Sequence, residues 1–441
     1  MLSVLSNVTY RRLFLAQVIA LVGTGLATVA LGLLAYDLAG ADAGAVLGGA
    51  LAIKMIAYIG VGPVANAFAD RLPRRALLVA MDLVRAAIAV ALPFVTEVWQ
   101  VYVLIFLLQS ASAAFTPTFQ ATIPDILPDE KDYTRALSLS RLAYDLESLV
   151  SPALAAALLG VISFHGLFGG TVLGFLGSAA LVVSVIIPQP GPAPRSGGLY
   201  ARTTRGVRFY LKTPRLRGLL ALNLAAAAAG AMVIVNTVVY VRSVLGRGPD
   251  DVALALAAFG GGSMAAALVL PRVLDQVEDR PVMMGAAGLL VAGLIAMAGQ
   301  SLTPTFDPWV ALLAGWAILG VGYSAVLTPS GRLLRRSSTP EDRSALFAAQ
   351  FALSHACWLV TYLVAGQLGA RAGPGWTFLV LSALAALGLV AGLAVWPRRD
   401  PQRLTHAHPD LPPDHPHLAG AAGPHAHDYV IDDLHHGWPR G

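Results

Sequence analysis

Histidines are concentrated near the C-terminal end of this chain, where eight of the ten follow Trp396. In an extended chain His-x-His can bring two imidazoles toward one ion, and nearby aspartates add carboxylates. Imidazole with carboxylate suits nickel, cobalt, zinc or copper(II). The pattern predicts a metal-binding tail, and the alternative is a solvated tail whose histidines bind nothing. The predicted ligands are His406, His408, His415, His417, His425, His427, His435 and His436.

Ionisable residues also lie inside apolar stretches, where each charge costs ~2.5–3.5 kcal/mol on insertion scales and needs a partner, a cavity or a role. Two pairs of opposite charge have helical spacing, Asp82 with Arg85 and Arg141 with Asp145. We expect the first pair to lie near a membrane surface and to hold a gate. Asp145 is expected near the midplane, either as a substrate or proton site or in a permanent pair with Arg141.

Three further residues are candidates for substrate binding or proton coupling: Asp37, Glu147 and His355. Glu147 follows Asp145 by two residues and therefore faces another direction on the helix. His355 and Cys357 are also two apart and cannot easily chelate one ion from one face, so His355 is interpreted as a polar cavity residue and Cys357 as packing. Because Cys357 is the only cysteine, an intramolecular disulfide and a Cys-rich metal site are excluded.

The stretch GVGPVANAFADRLPRR, residues 60–75, passes abruptly from apolar to charged residues. An arginine cluster favours the cytoplasmic side of a membrane. The spacing of its aspartate and last arginine recurs 205 residues later, again after an apolar run. We therefore predict two symmetry-related gate loops. The predicted gate residues, including the neighbouring helical pair, are Asp70, Arg71, Arg74, Arg75, Asp82, Arg85, Asp275 and Arg280.

The elements that must position these residues are transmembrane helices. The 441 residues are 56% hydrophobic and only 12% charged, which is too apolar for a soluble domain of this size. A spanning helix needs about 20 apolar residues. Twelve runs fit: 13–38, 44–68, 76–96, 98–121, 135–162, 166–187, 216–241, 250–273, 281–301, 308–331, 344–370 and 375–396.

Basic residues are distributed unequally between the two sides of this arrangement. Of the 30 lysines and arginines, 24 fall in the termini, in the loops after even-numbered runs or within two residues of the run ends that adjoin those loops, whereas three fall in the other loops. This asymmetry predicts a multi-pass protein of the bacterial inner membrane with both termini in the cytoplasm. It also accounts for the net charge of +5 without a nucleic-acid partner.

The longest internal connection divides the chain into two halves that repeat. Thr116-Pro117 recurs as Thr328-Pro329, 212 residues later. We predict an all-α membrane protein with two parallel six-helix repeats. The predicted domains are residues 1–187, the first bundle; 188–215, a cytoplasmic linker with a basic amphipathic helix; 216–396, the second bundle; and 397–441, a disordered His-rich cytoplasmic tail.

The chain resembles the major facilitator superfamily over residues 1 to about 397, in the bacterial branch that includes the enterobactin exporter. The resemblance implies a monomer that works by alternating access, with a gate loop that holds the inner side shut in the outward-facing state. The His-rich tail is similar to that of nickel-resistance exporters. In helix 5, SLVSPALAAALLG departs from the Gly-Pro motif of drug–proton antiporters. The resemblance rests on Tyr36-Asp37-Leu38, the 70–75 loop, Asp82-Leu83-Val84-Arg85, Phe115-Thr116-Pro117 and Ile123-Pro124-Asp125-Ile126-Leu127-Pro128.

These observations predict a transporter rather than an enzyme. Transport is expected to be secondary, because no nucleotide-binding P-loop is present. The expected cargo is a divalent transition metal, nickel or cobalt first, or its small chelate, with proton antiport as the expected coupling. No cofactor is expected beyond a nickel, cobalt or zinc ion on the tail, and the expected partners are membrane lipids and the cargo. One alternative is an exporter of an amphiphilic organic solute, a drug or siderophore. Another is a non-transporting membrane metal sensor.

Overall fold

The computed structural model describes residues 2–39, 43–69, 72–189, 198–408, 416–418 and 424–439. Of the predicted site residues, Asp70, Arg71 and His415 lie outside these ranges. The N-terminal half opens with a 3₁₀ turn, Leu2–Ser6. Its helices are α1 (Val8–Ala39), α2 (Ala43–Ala69), α3 (Arg74–Ala91), α4 (Val98–Ile126), α5 (Glu130–Leu159) and α6 (Phe164–Val183).

A linker helix, α7 (Leu199–Lys212), precedes the C-terminal half. Its arginines and lysine alternate with apolar side chains, as predicted for an amphipathic helix. The helices of the C-terminal half are α8 (Pro214–Val239), α9 (Pro249–Leu274), α10 (Asp279–Leu302), α11 (Pro308–Leu327), α12 (Ser330–Arg336) and α13 (Arg343–Val395). We call the face of the bundle that carries α7 the linker face.

Ten helices in the described residues are long and apolar enough to cross a membrane, and α5 is an eleventh span when its bend is included. The 53-residue α13 is about 80 Å long at 1.5 Å per residue, which is more than twice the hydrocarbon thickness. It changes direction at Gly373, where φ is +78°, just before Pro374. Because α13 thus holds two spans, the fold agrees with the twelve predicted.

Small residues allow the helices to approach closely within each half. In the N-terminal half, a Cβ on Gly174 would lie 3.0 Å from the backbone of Gly23, so α1 and α6 meet backbone to backbone. In the C-terminal half, a Cβ on Gly388 would lie 2.4 Å from the carbonyl oxygen of Ala221, which brings α13 against α8. Such contacts are the usual basis of helix association in a membrane, where burial of apolar surface supplies little driving force.

The tail differs from the prediction that it is disordered. In its described part, β1 (Arg403–His406) and β2 (His425–Asp428) pair as an antiparallel two-stranded sheet. Tyr429 and Ile431 are buried in the hydrophobic core of the C-terminal half. The prediction counted the prolines and glycines of the tail but overlooked these apolar residues, whose burial offsets the entropy lost on ordering.

Candidate functional site

On the linker face, one carboxylate holds an arginine from each half. Asp125 at the end of α4 pairs with Arg74 of α3, with 2.5 Å between Oδ2 and Nη1. Its other oxygen accepts from Arg343, the first residue of α13. Both arginine side chains are buried, so this carboxylate neutralises two charges that water does not reach. Asp125 therefore joins the two halves.

A second junction on the same face centres on Arg332 of α12. Its guanidinium donates to Thr134 Oγ1 (2.7 Å) and pairs with Glu130 Oε1 (2.6 Å), both in the N-terminal half. Within its own half it pairs with Asp279 Oδ1 (2.8 Å), which Arg336 also contacts. Several charges thus form a network, which is worth more than an isolated surface pair.

Most of the gate residues predicted from sequence do not take part in these two junctions between the halves. Arg74 belongs to the junction at Asp125, whereas Arg75 is exposed. Asp275 is exposed at the end of α9, and Arg280 donates to the carbonyl oxygen of Trp396 (3.1 Å) in its own half. Of these four residues, only Arg74 reaches an inter-half junction.

Asp82 and Arg85 form the predicted intrahelical pair, but within the N-terminal half rather than between the halves. Ser178 of α6 donates to Asp82 (2.8 Å). The guanidinium of Arg85 lies over the rings of Phe115 (4.1 Å) and Phe175 (4.5 Å). The pair therefore fastens α3 to α4 and α6, and the junctions at Asp125 and Arg332 occupy the gate position instead.

Asp145 lies at the middle of α5 and contacts both Arg141 and the C-terminal half. Ser263 of α9 donates to Asp145 Oδ2 (2.6 Å), and Arg141 Nε donates to Ser263 Oγ (3.1 Å). Arg141 also pairs with Asp145, and its guanidinium lies 4.7 Å from the ring centre of Tyr323 in α11. The pair predicted from the i,i+4 spacing thus belongs to an inter-half network at mid-depth.

A second mid-depth group is half-buried and includes a residue that the sequence did not single out. Lys54 of α2 lies with its Nζ 5.6 Å from the ring centre of Tyr58 and faces the opposite charge of Glu147. The Tyr58 hydroxyl donates to Gln109 (2.7 Å), and its ring packs against His355 of α13 at 4.6 Å between centroids. A lysine in the middle of an apolar run was the available signal for this group.

His355 and Asp37 differ in their relation to this group. His355 Nδ1 donates to the carbonyl oxygen of Phe351 (2.7 Å), since a carbonyl can only accept. This leaves Nε2 as its acceptor nitrogen, beside Tyr58. Asp37 is exposed at the far end of α1, away from Glu147 and His355. The structure therefore brings Glu147 and His355 toward Lys54 and leaves Asp37 outside.

Contacts between the halves are unequally distributed along the membrane normal. Among the described residues, the hydrogen bonds and ion pairs that join the two halves lie at mid-depth or on the linker face. In those same ranges, none joins the ends of the halves on the opposite face. The structure is therefore closed on the linker face.

In the tail, six imidazoles point their Nε2 atoms toward one small region. His417 Nε2 lies 3.0 Å from that of His408 and 3.2 Å from those of His425 and His427. The Nε2 atoms of His406 and His435 are 3.0 Å apart. Two overlapping groups of four have all ligand atoms within 4.8 Å of one another. The members are His406, His408, His417, His425, His427 and His435, and we call them the imidazole cluster.

In three cluster members the partner of Nδ1 indicates which ring nitrogen carries the hydrogen. His406 Nδ1 faces the carbonyl oxygen of Leu404 (3.1 Å), and His427 Nδ1 faces that of Asp428 (2.8 Å). His435 Nδ1 faces the carboxylate of Asp432 (2.8 Å). Since these oxygens accept, each Nδ1 carries a hydrogen, so in the neutral ring Nε2 presents a lone pair. Such partners orient histidines that bind metals.

The surroundings of three cluster histidines favour the neutral form of their imidazole rings over the protonated form. Burial, together with the charges of neighbouring histidines, lowers the pKa of His417 to about 4. The pKa values of His406 and His408 are lowered for the same reasons. Asp432, which accepts from His435, is stabilised in its charged form. Although burial opposes ionisation, hydrogen bonds from His435 hold the pKa of Asp432 below the ordinary value. At neutral pH, His406, His408 and His417 are therefore in the form that can bind a metal.

Two predicted ligands do not join the cluster. His436 is exposed and lies outside both groups of four, although it follows His435 directly. His415 falls outside the described residues.

A family model described as Major Facilitator Superfamily matches residues 13–246 and 219–421, most of the chain. The chain belongs to the Major Facilitator Superfamily. This superfamily member is similar to an uncharacterised MFS-type transporter, YfiS, of Bacillus subtilis (strain 168), with 24% identity over 298 residues that cover 64% of this chain and 68% of that protein.

Two further comparisons extend over more of the chain. The multidrug efflux pump Tap of Mycolicibacterium fortuitum is 24% identical over 365 residues, 78% of this chain and 87% of that protein. Among solved structures, a bacterial homologue of the iron transporter ferroportin in the outward-facing state covers 88% of this chain and 98% of its own, with a TM-score of 0.74 and 14% identity. At that identity the likeness shows the fold. The protein is thus a multi-pass membrane transporter of this superfamily and not an enzyme.

The junction at Asp125 generates a testable prediction. Asp125→Asn leaves two buried arginines without their carboxylate, and breaking a buried pair costs ~3–5 kcal/mol. We expect the linker face to open, so that residues 330–346 exchange amide hydrogens faster, as measured by mass spectrometry on the full-length protein in detergent.

Asp129→Asn is the matched control, because it lies in the same loop and asparagine caps a helix as well as aspartate does. We expect its exchange to match that of the wild type. Equal exchange in both variants would show that Asp125 does not hold the halves together.

Proposed function

We propose that this protein exports a divalent transition metal, nickel or cobalt first, or its small chelate, by alternating access from the bacterial cytoplasm. The observation that carries the proposal is the imidazole cluster. Ligand nitrogens at 2.0–2.1 Å from one metal ion stand about 3.0–3.4 Å apart in octahedral or tetrahedral geometry. The Nε2 pairs of the cluster are 3.0–3.2 Å apart.

The lone pairs supply the chemical reason for a metal. His406 Nε2 and His435 Nε2 face each other while both Nδ1 atoms are committed as donors, so in the neutral form of both rings the lone pairs repel unless a cation lies between them. One shared proton would serve a single pair, whereas His417 Nε2 meets three neighbours. A metal ion serves the four members of either group at once. Four imidazole nitrogens suit nickel or cobalt as well as zinc.

The orientation and the route are part of this proposal. The excess of basic residues on the linker face supports a cytoplasmic location for this face and for the tail. The tail would then collect the ion on the side from which an exporter loads. Glu147 and His355 are the acceptor groups that we assign to cargo or proton binding at mid-depth. Lys54 beside them disfavours a bare cation and favours a chelate that carries a negative group.

A second candidate cargo is an amphiphilic organic solute, because aromatic rings line the seam next to the mid-depth groups. Tyr323, Trp358 and Tyr362 follow one another at ring separations of 6.0 and 5.1 Å. The relative from M. fortuitum is named a multidrug efflux pump, and the resemblance to the enterobactin-exporter branch adds siderophores to this class. The third candidate, a non-transporting metal sensor, is disfavoured by membership of a transporter superfamily.

Metal binding is tested by equilibrium dialysis of the full-length protein against nickel. His417→Ala removes the nitrogen that has three imidazole neighbours, and we expect a 10- to 100-fold weaker affinity. His436→Ala removes the exposed histidine next to the cluster and should leave affinity unchanged. Equal loss in both variants would indicate a diffuse histidine tail rather than the cluster.

Transport is tested by uptake into inside-out vesicles of labelled nickel, cobalt, zinc and an organic dye. We expect vesicles that contain the full chain to accumulate nickel or cobalt. Truncation after Arg399 should weaken the apparent metal affinity of uptake without abolishing uptake. Movement of the dye alone would establish the second candidate. A sensor would move neither, and truncation would abolish its response.

A further inference from the structure

The imidazole cluster is connected to the inter-half junction through one arginine of the linker helix. Arg205 of α7 binds two carboxylates at once. Its Nε and Nη2 contact Asp342 at 2.7 and 3.1 Å, and its Nη1 and Nη2 contact Asp433 at 2.8 and 2.9 Å. Asp342 precedes α13, and Asp433 belongs to the tail. A planar guanidinium is suited to such fork-like pairing, which fixes geometry as well as charge.

On the tail side, Asp433 lies in the turn that presents a cluster histidine. The carboxylate of Asp432 accepts from the backbone N–H groups of Leu434 and His435 and from His435 Nδ1, each at 2.8 Å. The turn is therefore built around the orientation of the His435 ring. A shift of His435 moves Asp433, because the two residues belong to one hydrogen-bonded turn.

On the membrane side, Asp342 adjoins Arg343, which pairs with Asp125 of the N-terminal half. Linker helix α7 also reaches the N-terminal half directly, because Arg202 donates to the carbonyl oxygen of Ala67 in α2. Near the end of the tail, the Trp438 ring lies 5.0 Å from the guanidinium of Arg215 in α8. A continuous series of contacts thus leads from the cluster to the closed linker face.

We propose that a divalent metal ion in the imidazole cluster acts as a latch that stabilises the closed linker face, through His435, Asp433, Arg205 and Asp342. This inference rests on the proposed metal binding by the tail. Without a cation, the facing lone pairs oppose the arrangement that carries Asp433 to Arg205. With a cation they bind it, and the turn is held in place. By linkage, closing the linker face raises the metal affinity by the same factor.

The size of the effect follows from exposure. The Asp342 side chain is 6% exposed, but that of Asp433 is 58% exposed, so solvent screens its pair with Arg205. Exposed pairs contribute little, which corresponds to about a two- to fivefold change in a population ratio. The latch therefore biases the equilibrium between closed and open linker faces rather than locking it.

The test uses full-length protein in nanodiscs, with Cys357→Ala and spin labels at Lys131 and Gln276, which are exposed on the linker face of opposite halves. Electron–electron distances are measured with and without zinc, which is diamagnetic, and bound zinc is measured on the same samples. Asp433→Asn removes the charge that reaches Arg205. Asp428→Asn is the matched control, since its carboxylate contacts Gln402 within the tail.

We expect zinc to shift the ratio of short to long distances about two- to fivefold toward short in the parent and in Asp428→Asn. Asp433→Asn should still bind zinc to the same stoichiometry, with an affinity at most about two- to fivefold weaker, and show no shift. The latch is overturned if Asp433→Asn responds as the parent does, or if the parent binds zinc without responding. Absence of bound zinc in the parent would overturn the proposed tail site itself, and the binding measurement reports that outcome separately.

Discussion

A charge or lone pair that is removed from water must meet its complement, and this requirement organises the structure from the membrane core to the tail. Asp125 neutralises an arginine of each half, and Asp145 is paired with Arg141 and Ser263. Arg85 is neutralised by Asp82 within the N-terminal half. At Asp125 and Asp145, the contacts that hold the halves together are also those that neutralise the buried charges. The imidazole cluster is the exception, because its inward nitrogens face one another and the proposed metal ion would be their complement.

The same requirement relates the closed linker face to transport. Opening that face must break the pairs at Asp125 and Arg332 and expose both partners to water, which restores their solvation. These junctions can therefore exchange between two arrangements at modest cost, as alternating access requires. Glu147 and Lys54 lie at mid-depth and face each other with opposite charges. In the proposed function, a cargo that carries both charge signs would replace that interaction.

Local patterns in the sequence predict what is local in the structure. Hydropathy over about 20 residues gives the spans, and the i,i+3 and i,i+4 spacings give the pairs at Asp82 and Asp145. The partners that join the halves were missed, because Asp125 and Arg343 are 218 residues apart and no periodicity connects them. In the tail, the His-x-His spacing was recognised, but the pairing of the two strands was not. In a strand, His-x-His puts both rings on one face, and pairing of His406 with His425 then brings two such faces together.

The central claim is that one group of four imidazoles in the cluster binds one divalent metal ion. X-ray absorption at the nickel edge, on full-length protein loaded with one equivalent of nickel, measures the ligand shell directly. The account predicts mostly nitrogen ligands at about 2.1 Å with the multiple scattering of several imidazoles. A shell of water oxygens with one or two imidazoles would contradict it.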